Sequence, residues 1–125
     1  MTKASAIYEF WASFGLVAYE TNTVPTGDDA PEFPYLTYSF VVGSFGTDVA
    51  ADVSVWYRDS SPVECNAKTE EIVQRIGEGG VPIKCDDGTI WIKLGDPKYQ
   101  PMSDPSDDMI RRNYINIVLQ YLTQH

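Results

Sequence analysis

The stretch Arg111–Thr123, RRNYINIVLQYLT, sets the tightest limit on what this chain can fold into. Side chains in a strand alternate between faces, so Ile115, Ile117, Leu119 and Tyr121 share one side while Tyr114, Asn116, Val118 and Leu122 share the other. The first side is almost wholly apolar and the second is mixed. That pattern predicts one long strand, covered by other elements on one face and open to a partner on the other. None of these side chains is a reactive nucleophile, so the segment reads as built for packing and assembly rather than catalysis.

A chain of 125 residues supports one domain, residues 1–125, around a single hydrophobic core. Its 43% apolar and 22% charged content excludes a disordered chain. Eight Tyr and three Trp provide rings for a core or for a protein interface. A formal charge of −9 repels duplex DNA and anionic membranes, and the basic residues are scattered, Arg111-Arg112 being the only adjacent pair. A basic DNA-gripping groove is thereby excluded, whereas a passage that DNA traverses without being held is compatible. Cys65 and Cys85 lack CxxC or CxxH spacing and are expected as reduced thiols; the one histidine is His125. No leader segment precedes the first expected helix, and no apolar run approaches the ~18 residues of a membrane span, so synthesis in a cytoplasm and no membrane partner are expected.

Along the chain, Lys3–Phe14 reads as a helix with Ala4, Ile7, Tyr8, Trp11 and Phe14 as its apolar stripe, Thr2 as N-cap and Gly15 as its stop. Asn22–Pro34, with three prolines, reads as a long loop. Tyr35–Val42 and Val49–Arg58 read as an antiparallel pair. Ser61 as cap, Pro62 in the first turn and Glu64 at the capping-box position open a second helix running to Ile76. It buries Cys65, Thr69, Ile72, Val73 and Ile76, and Gly77 ends it. Val81–Cys85 and Thr89–Leu94 flank the hairpin signal Asp86-Asp87-Gly88. Gly95–Asp108, again with three prolines, reads as a second long loop leading into the last strand. The order α-β-β-α-β-β-β is that of an α+β domain, two helices packed on one face of a largely antiparallel sheet with a long C-terminal strand.

Candidate chemistry is thin. Asp104, Asp107 and Asp108 could hold a hard cation, but their spacing matches no calcium loop, and aspartates beside Pro and Ser are turn residues. Gly77-Glu78-Gly79-Gly80 follows a helix and lacks the Lys-Ser/Thr of a phosphate loop, so it reads as a helix stop. No internal histidine can serve a Ser or Cys nucleophile, and no carboxylate pair stands out, so no enzyme activity is expected. Trp11, Tyr38, Phe40, Trp56, Tyr57, Trp91 and Tyr114 lie on expected regular elements and are mostly assigned to the core, whereas Phe33, Phe45 and Tyr99 lie in loops and are offered to subunit contacts.

The segments IYEFWASFGLVAYETNTVP, PYLTYSF, VSVWYRDSS, GGVPIKCDDGTIWIKLGDPKYQPMSD and DDMIRRNYINIVLQYLT, spanning Ile7 to Thr123, resemble the tail-terminator proteins of long-tailed bacteriophages and prophages, also described as head–tail joining or minor capsid proteins. The resemblance implies a small α+β protein that assembles as a ring, commonly a hexamer, on the end of the major tail tube protein. Such a ring stops tube polymerisation and offers a surface to the head-completion or connector protein. Genome DNA passes through it without specific binding. It implies a place at the neck of the virion after synthesis in the host bacterial cytoplasm, with no cofactor and no enzymatic activity. By that analogy the expected interface residues are Phe33, Tyr35, Phe45, Tyr99, Met102, Asp104, Arg111 and Arg112. Arg111 and Arg112 lie at the start of the last strand, where they could pair with acidic groups of a neighbour such as Asp28 or Asp29. Three other readings stay open: a head-closure or adaptor protein, a small monomeric binding module, and a hydrolase built on Asp104–Asp108.

Overall fold

The long C-terminal strand is the centre of the molecule. A computed structural model describes all residues, Met1–His125. Its elements are α1 (Lys3–Ala12), β1 (Val17–Glu20), β2 (Tyr35–Tyr38), β3 (Asp48–Arg58), α2 (Val63–Ile76), β4 (Val81–Cys85), β5 (Gly88–Met102) and β6 (Ile110–Thr123). The six strands form one sheet in the order β1-β2-β3-β6-β5-β4, antiparallel throughout except for the parallel pair β1–β2. β6 is bonded along nearly its whole length by β3 on one side and β5 on the other. The protein is an α+β domain with both helices on one face of this sheet.

That face carries the core. Leu36, Val53, Val55, Ile90, Ile92, Ile115, Ile117, Leu119 and Tyr121 are all buried beneath Ile7 and Trp11 of α1 and Ile72 and Ile76 of α2. Each such aliphatic side chain contributes ~1.5–3 kcal/mol through burial. The sheet curls enough that α1 touches both β1 and β4, its opposite edges. Thr2 caps α1, its hydroxyl accepting from the Ser5 N–H at 3.1 Å. The helix ends at Ala12, two residues earlier than expected, and its stripe is rotated: Ala6 and Phe10 are buried, whereas Ala4 and Tyr8 are exposed. α2 buries the five residues expected and stops at Gly77, whose φ of +74° suits a residue without Cβ. Its start differs in detail. Ser61 Oγ accepts from the Val63 N–H at 3.2 Å, and Pro62 occupies the cap position rather than the first turn.

The order gains a strand and two expected bounds are corrected. Val17–Glu20 is a strand, too short to announce itself by alternation and defined only by its parallel pairing with Tyr35–Tyr38. The strand expected over Tyr35–Val42 ends at Tyr38, and residues 39–47 form an irregular strap. Gly95–Asp108 is not one loop, because β5 continues to Met102. A bulge between Leu94 and Tyr99 interrupts it, and Tyr99–Met102 then pairs with Arg112–Ile115. β4 covers β5 only as far as Ile92, so the extension is an edge, where prolines without an N–H are tolerated. Asn116 Nδ2 donates to Pro97 O across the bulge at 2.8 Å.

Candidate interaction surfaces

The face of the sheet away from the helices is built from the alternate residues of the same strands. Register places Val17, Tyr35, Trp56, Arg112 and Met102 in a single row across β1, β2, β3, β6 and β5. The rings of Tyr35 and Trp56 stack nearly parallel, centroids 5.8 Å apart and planes 10° apart. Phe33 and Tyr19 flank Tyr35 at 5.3 and 6.1 Å. The Arg112 guanidinium lies 4.6 Å from the Trp56 ring centre and 5.6 Å from that of Tyr114, a cation–π arrangement on two sides. Polar partners lock the row: Trp56 Nε1 donates to Thr37 Oγ1 at 2.9 Å, and Arg112 Nε donates to Ser54 Oγ at 3.1 Å.

Arg112 is therefore held by a hydroxyl and by rings, with no carboxylate within ion-pair distance. Every other arginine has a carboxylate or carbonyl partner. Arg58 pairs with Asp107 at 2.9 Å, Arg75 reaches Ser13 O, and Arg111 donates to Asp59 O at 3.0 Å and Ser60 O at 2.6 Å. Asp104 stands near the row but spends its Oδ1 on the N–H and hydroxyl of Ser106, at 2.8 and 2.6 Å. These bonds, ahead of the nearby Arg112 charge, hold its carboxyl below the usual range. Burial, reinforced by Asp104 against the opposing pull of Arg112, raises the Tyr35 phenol.

The expected interface residues thus fall into three groups. Phe33, Tyr35, Met102, Asp104 and Arg112 gather at one end of the open face. Tyr99 and Arg111 lie on the helix side and serve the chain itself: Tyr99 Oη donates to Glu70 at 2.5 Å, and Arg111 pins the β3–α2 turn. Between the two sides, at the end of the sheet, lies a cleft of about 640 Å³ lined by Asn66, Met102, Asp104, Asp108, Arg111 and Arg112 among others.

Phe45 stands alone at the other end, 71% exposed on the strap, with Val42 and Phe40 beside it in sequence and also exposed. The strap is fastened. Tyr121 Oη donates to Val41 O at 2.5 Å, Gly46 N–H to Tyr121 O at 2.8 Å, and Gln120 Nε2 to Gly46 O at 3.0 Å. Phe40 and Trp91, assigned to the core by sequence, are exposed, and Trp56 and Tyr114 are half-buried on the open face. The signal that marks them is the company they keep: Asp52 and Ser54 alternate onto the Trp56 face of β3, while Val53 and Val55 alternate onto the core.

No protein-family model matches the chain, and no curated protein or solved structure matches it. The surfaces must be interpreted from their own chemistry. No three His, Cys, Asp or Glu side chains converge as a metal site, and Asp104 and Asp107 both accept backbone N–H bonds within tight turns. Cys65 is buried, its thiol pushed up by desolvation, and Cys85 is half-buried; both are free thiols. No helix is long and apolar enough to cross a membrane.

Proposed function

We propose that this chain is a phage virion protein, the subunit of a ring that terminates the tail tube and presents a surface to the head connector. The observation that carries the reading is the presence of two unlike surfaces at opposite ends of one continuous sheet, one half-buried and one exposed. One is the Tyr35–Trp56–Arg112 row and the other the Phe40–Phe45 strap. Trp56 and Asp48 lie eight residues apart on β3, so about 27 Å of strand separates the two ends. A closed ring needs heterologous contacts between different patches, and a cap needs a further surface for its axial partner. A single-patch binding module requires neither. The charge of −9 suits a pore that DNA traverses without being held. The resemblance from Ile7 to Thr123 supplies the identity of the tube.

The test is tube growth in vitro from the cognate major tail tube protein, with lengths read by electron microscopy. Added chain should arrest elongation and leave a ring at tube ends. Tubes that lengthen as if nothing had been added defeat the reading. Binding to portal or connector rings without any effect on tubes transfers the chain to the head-closure or adaptor class.

A further inference from the structure

We propose that Arg112 is the heart of a carboxylate-binding site, and that its occupant is the acidic loop between β1 and β2 of a second copy of this chain. The inference deepens the ring reading by naming the contact between neighbours. Two independent features support it, one on each side of the contact.

On the receptor side, the guanidinium is fixed before any ligand arrives. The rings of Trp56 and Tyr114 lie beside it at 4.6 and 5.6 Å and Ser54 takes its Nε, and neither Nη bonds to anything in its own chain. A planar fork so oriented matches the two oxygens of a carboxylate and needs no further ordering to bind one. On the ligand side, Thr21–Pro34 contains Asp28, Asp29 and Glu32 and no basic residue. All three acids are exposed, and none forms an ion pair within the chain. The loop is shaped: Gly27–Asp29 forms one helical turn, closed by Ala30 N–H to Gly27 O at 3.2 Å, with prolines at 25, 31 and 34 limiting its freedom. The chain thus carries an anchored guanidinium with no carboxylate within ion-pair distance, the nearby Asp104 being spent on Ser106, and an ordered anion cluster without a cation. In the chain itself they do not meet. Head-to-tail docking of one onto the other satisfies both, and the geometry propagates from copy to copy.

The experiment is mass by light scattering and sedimentation velocity on full chains, over a range of concentration and at low and high salt. Four samples are compared: wild type, Arg112→Glu, the triple substitution Asp28→Lys/Asp29→Lys/Glu32→Lys, and an equimolar mixture of the two variants. Wild type should associate, less so at high salt. Each variant alone should be at least about tenfold weaker in self-association. The mixture should recover association, because the intact loop of one variant meets the intact site of the other and the reversed loop meets the reversed site. Arg112→Gln serves in place of Arg112→Glu if circular dichroism shows that charge reversal disturbs the fold. A wild type that stays monomeric throughout, an Arg112 variant with the wild-type mass, or a mixture that remains monomeric each overturns the proposal. So does a triple variant that still associates, which would give the site to another surface. The two readings fail separately: tube capping retained by Arg112→Glu removes this contact and leaves the terminator standing.

Discussion

Asn113 shows how a single residue is committed by its position. It lies on the core side of β6 and is buried against α2, where an amide without partners costs ~1–3 kcal/mol. Its Nδ2 donates to Asn66 Oδ1 at 3.0 Å and to Thr69 Oγ1 at 2.9 Å, and Thr69 Oγ1 in turn donates to Cys65 O at 2.8 Å, tying β6 to α2. Asn113→Ala is expected to lower unfolding stability in urea by about 1–3 kcal/mol; an unchanged midpoint would show the network to be idle. Tyr121 supplies a pH-dependent counterpart. Burial, then the neighbouring Cys85, pushes its phenol up to about 12. The fold favours the neutral phenol, so its contribution is fully present below pH 10 and is lost as pH rises from 10 through 12. The loss amounts to about 2–3 kcal/mol at ~1.4 kcal/mol per pH unit. Urea midpoints of wild type and Tyr121→Phe measured between pH 9 and 12 should converge as pH rises; parallel slopes would refute the assignment. Alternation along β6 already places Asn113 and Tyr121 on the covered face. Their partners, Asn66 and Val41, are distant in sequence, and no local pattern announces them.

At the scale of elements, legibility followed how local the cause was. α2 is specified by its own periodicity and by Gly77, and its buried face emerged residue for residue. α1 is legible in place but not in rotation, because aromatic rings stand at both Tyr8 and Phe10 and contact with the sheet selects Phe10. β1 is only four residues long and depends on its pairing with β2, and the prolines of 95–105 mask the β5 extension, which pairs with the start of β6. The site divided the same way. Phe33, Tyr35, Met102 and Arg112 were legible as candidates, while their convergence and the part of Trp56 needed the register across β2, β3, β6 and β5. The β4–β5 hairpin yields a further prediction. Asp86 and Asp87 make its turn, and Gly88 follows with φ +149°, so close to β6 that a Cβ would lie 2.2 Å from Leu122 O. Backbone on both sides leaves little room to relax. Gly88→Ala should cost about 2 kcal/mol or more, whereas Gly79→Ala, where a Cβ would meet nothing within 4 Å, should stay within about 0.5 kcal/mol of wild type. Equal stabilities for the two variants by thermal or urea unfolding would reject this account of the hairpin.

For the whole molecule, one continuous sheet separates the half-buried Arg112 row from the exposed strap, so substitutions in the two can be read independently. Phe45 is held out by a strap bonded to Tyr121 and Gln120 through its backbone, so the ring itself supports nothing beneath it. Phe45→Asp should therefore leave stability within about 0.5 kcal/mol of wild type, as exposed substitutions generally do. Arg112 lies across the sheet at the far end of β6, beyond the ~7–10 Å over which substitutions couple. If the Arg112 row meets the neighbouring subunit and the strap meets the tube, the two variants fail in opposite ways. Phe45→Asp keeps the wild-type oligomer mass and loses the arrest of tube growth. Arg112→Glu loses the oligomer, and with it a cap whose avidity depends on several subunits binding at once. Light scattering and tube length, measured on the same preparations, separate the two. A Phe45→Asp chain that arrests tubes as well as wild type frees the strap from the axial contact. One that loses both mass and arrest assigns the strap to the subunit interface instead, and leaves the tube to be met by another part of the surface.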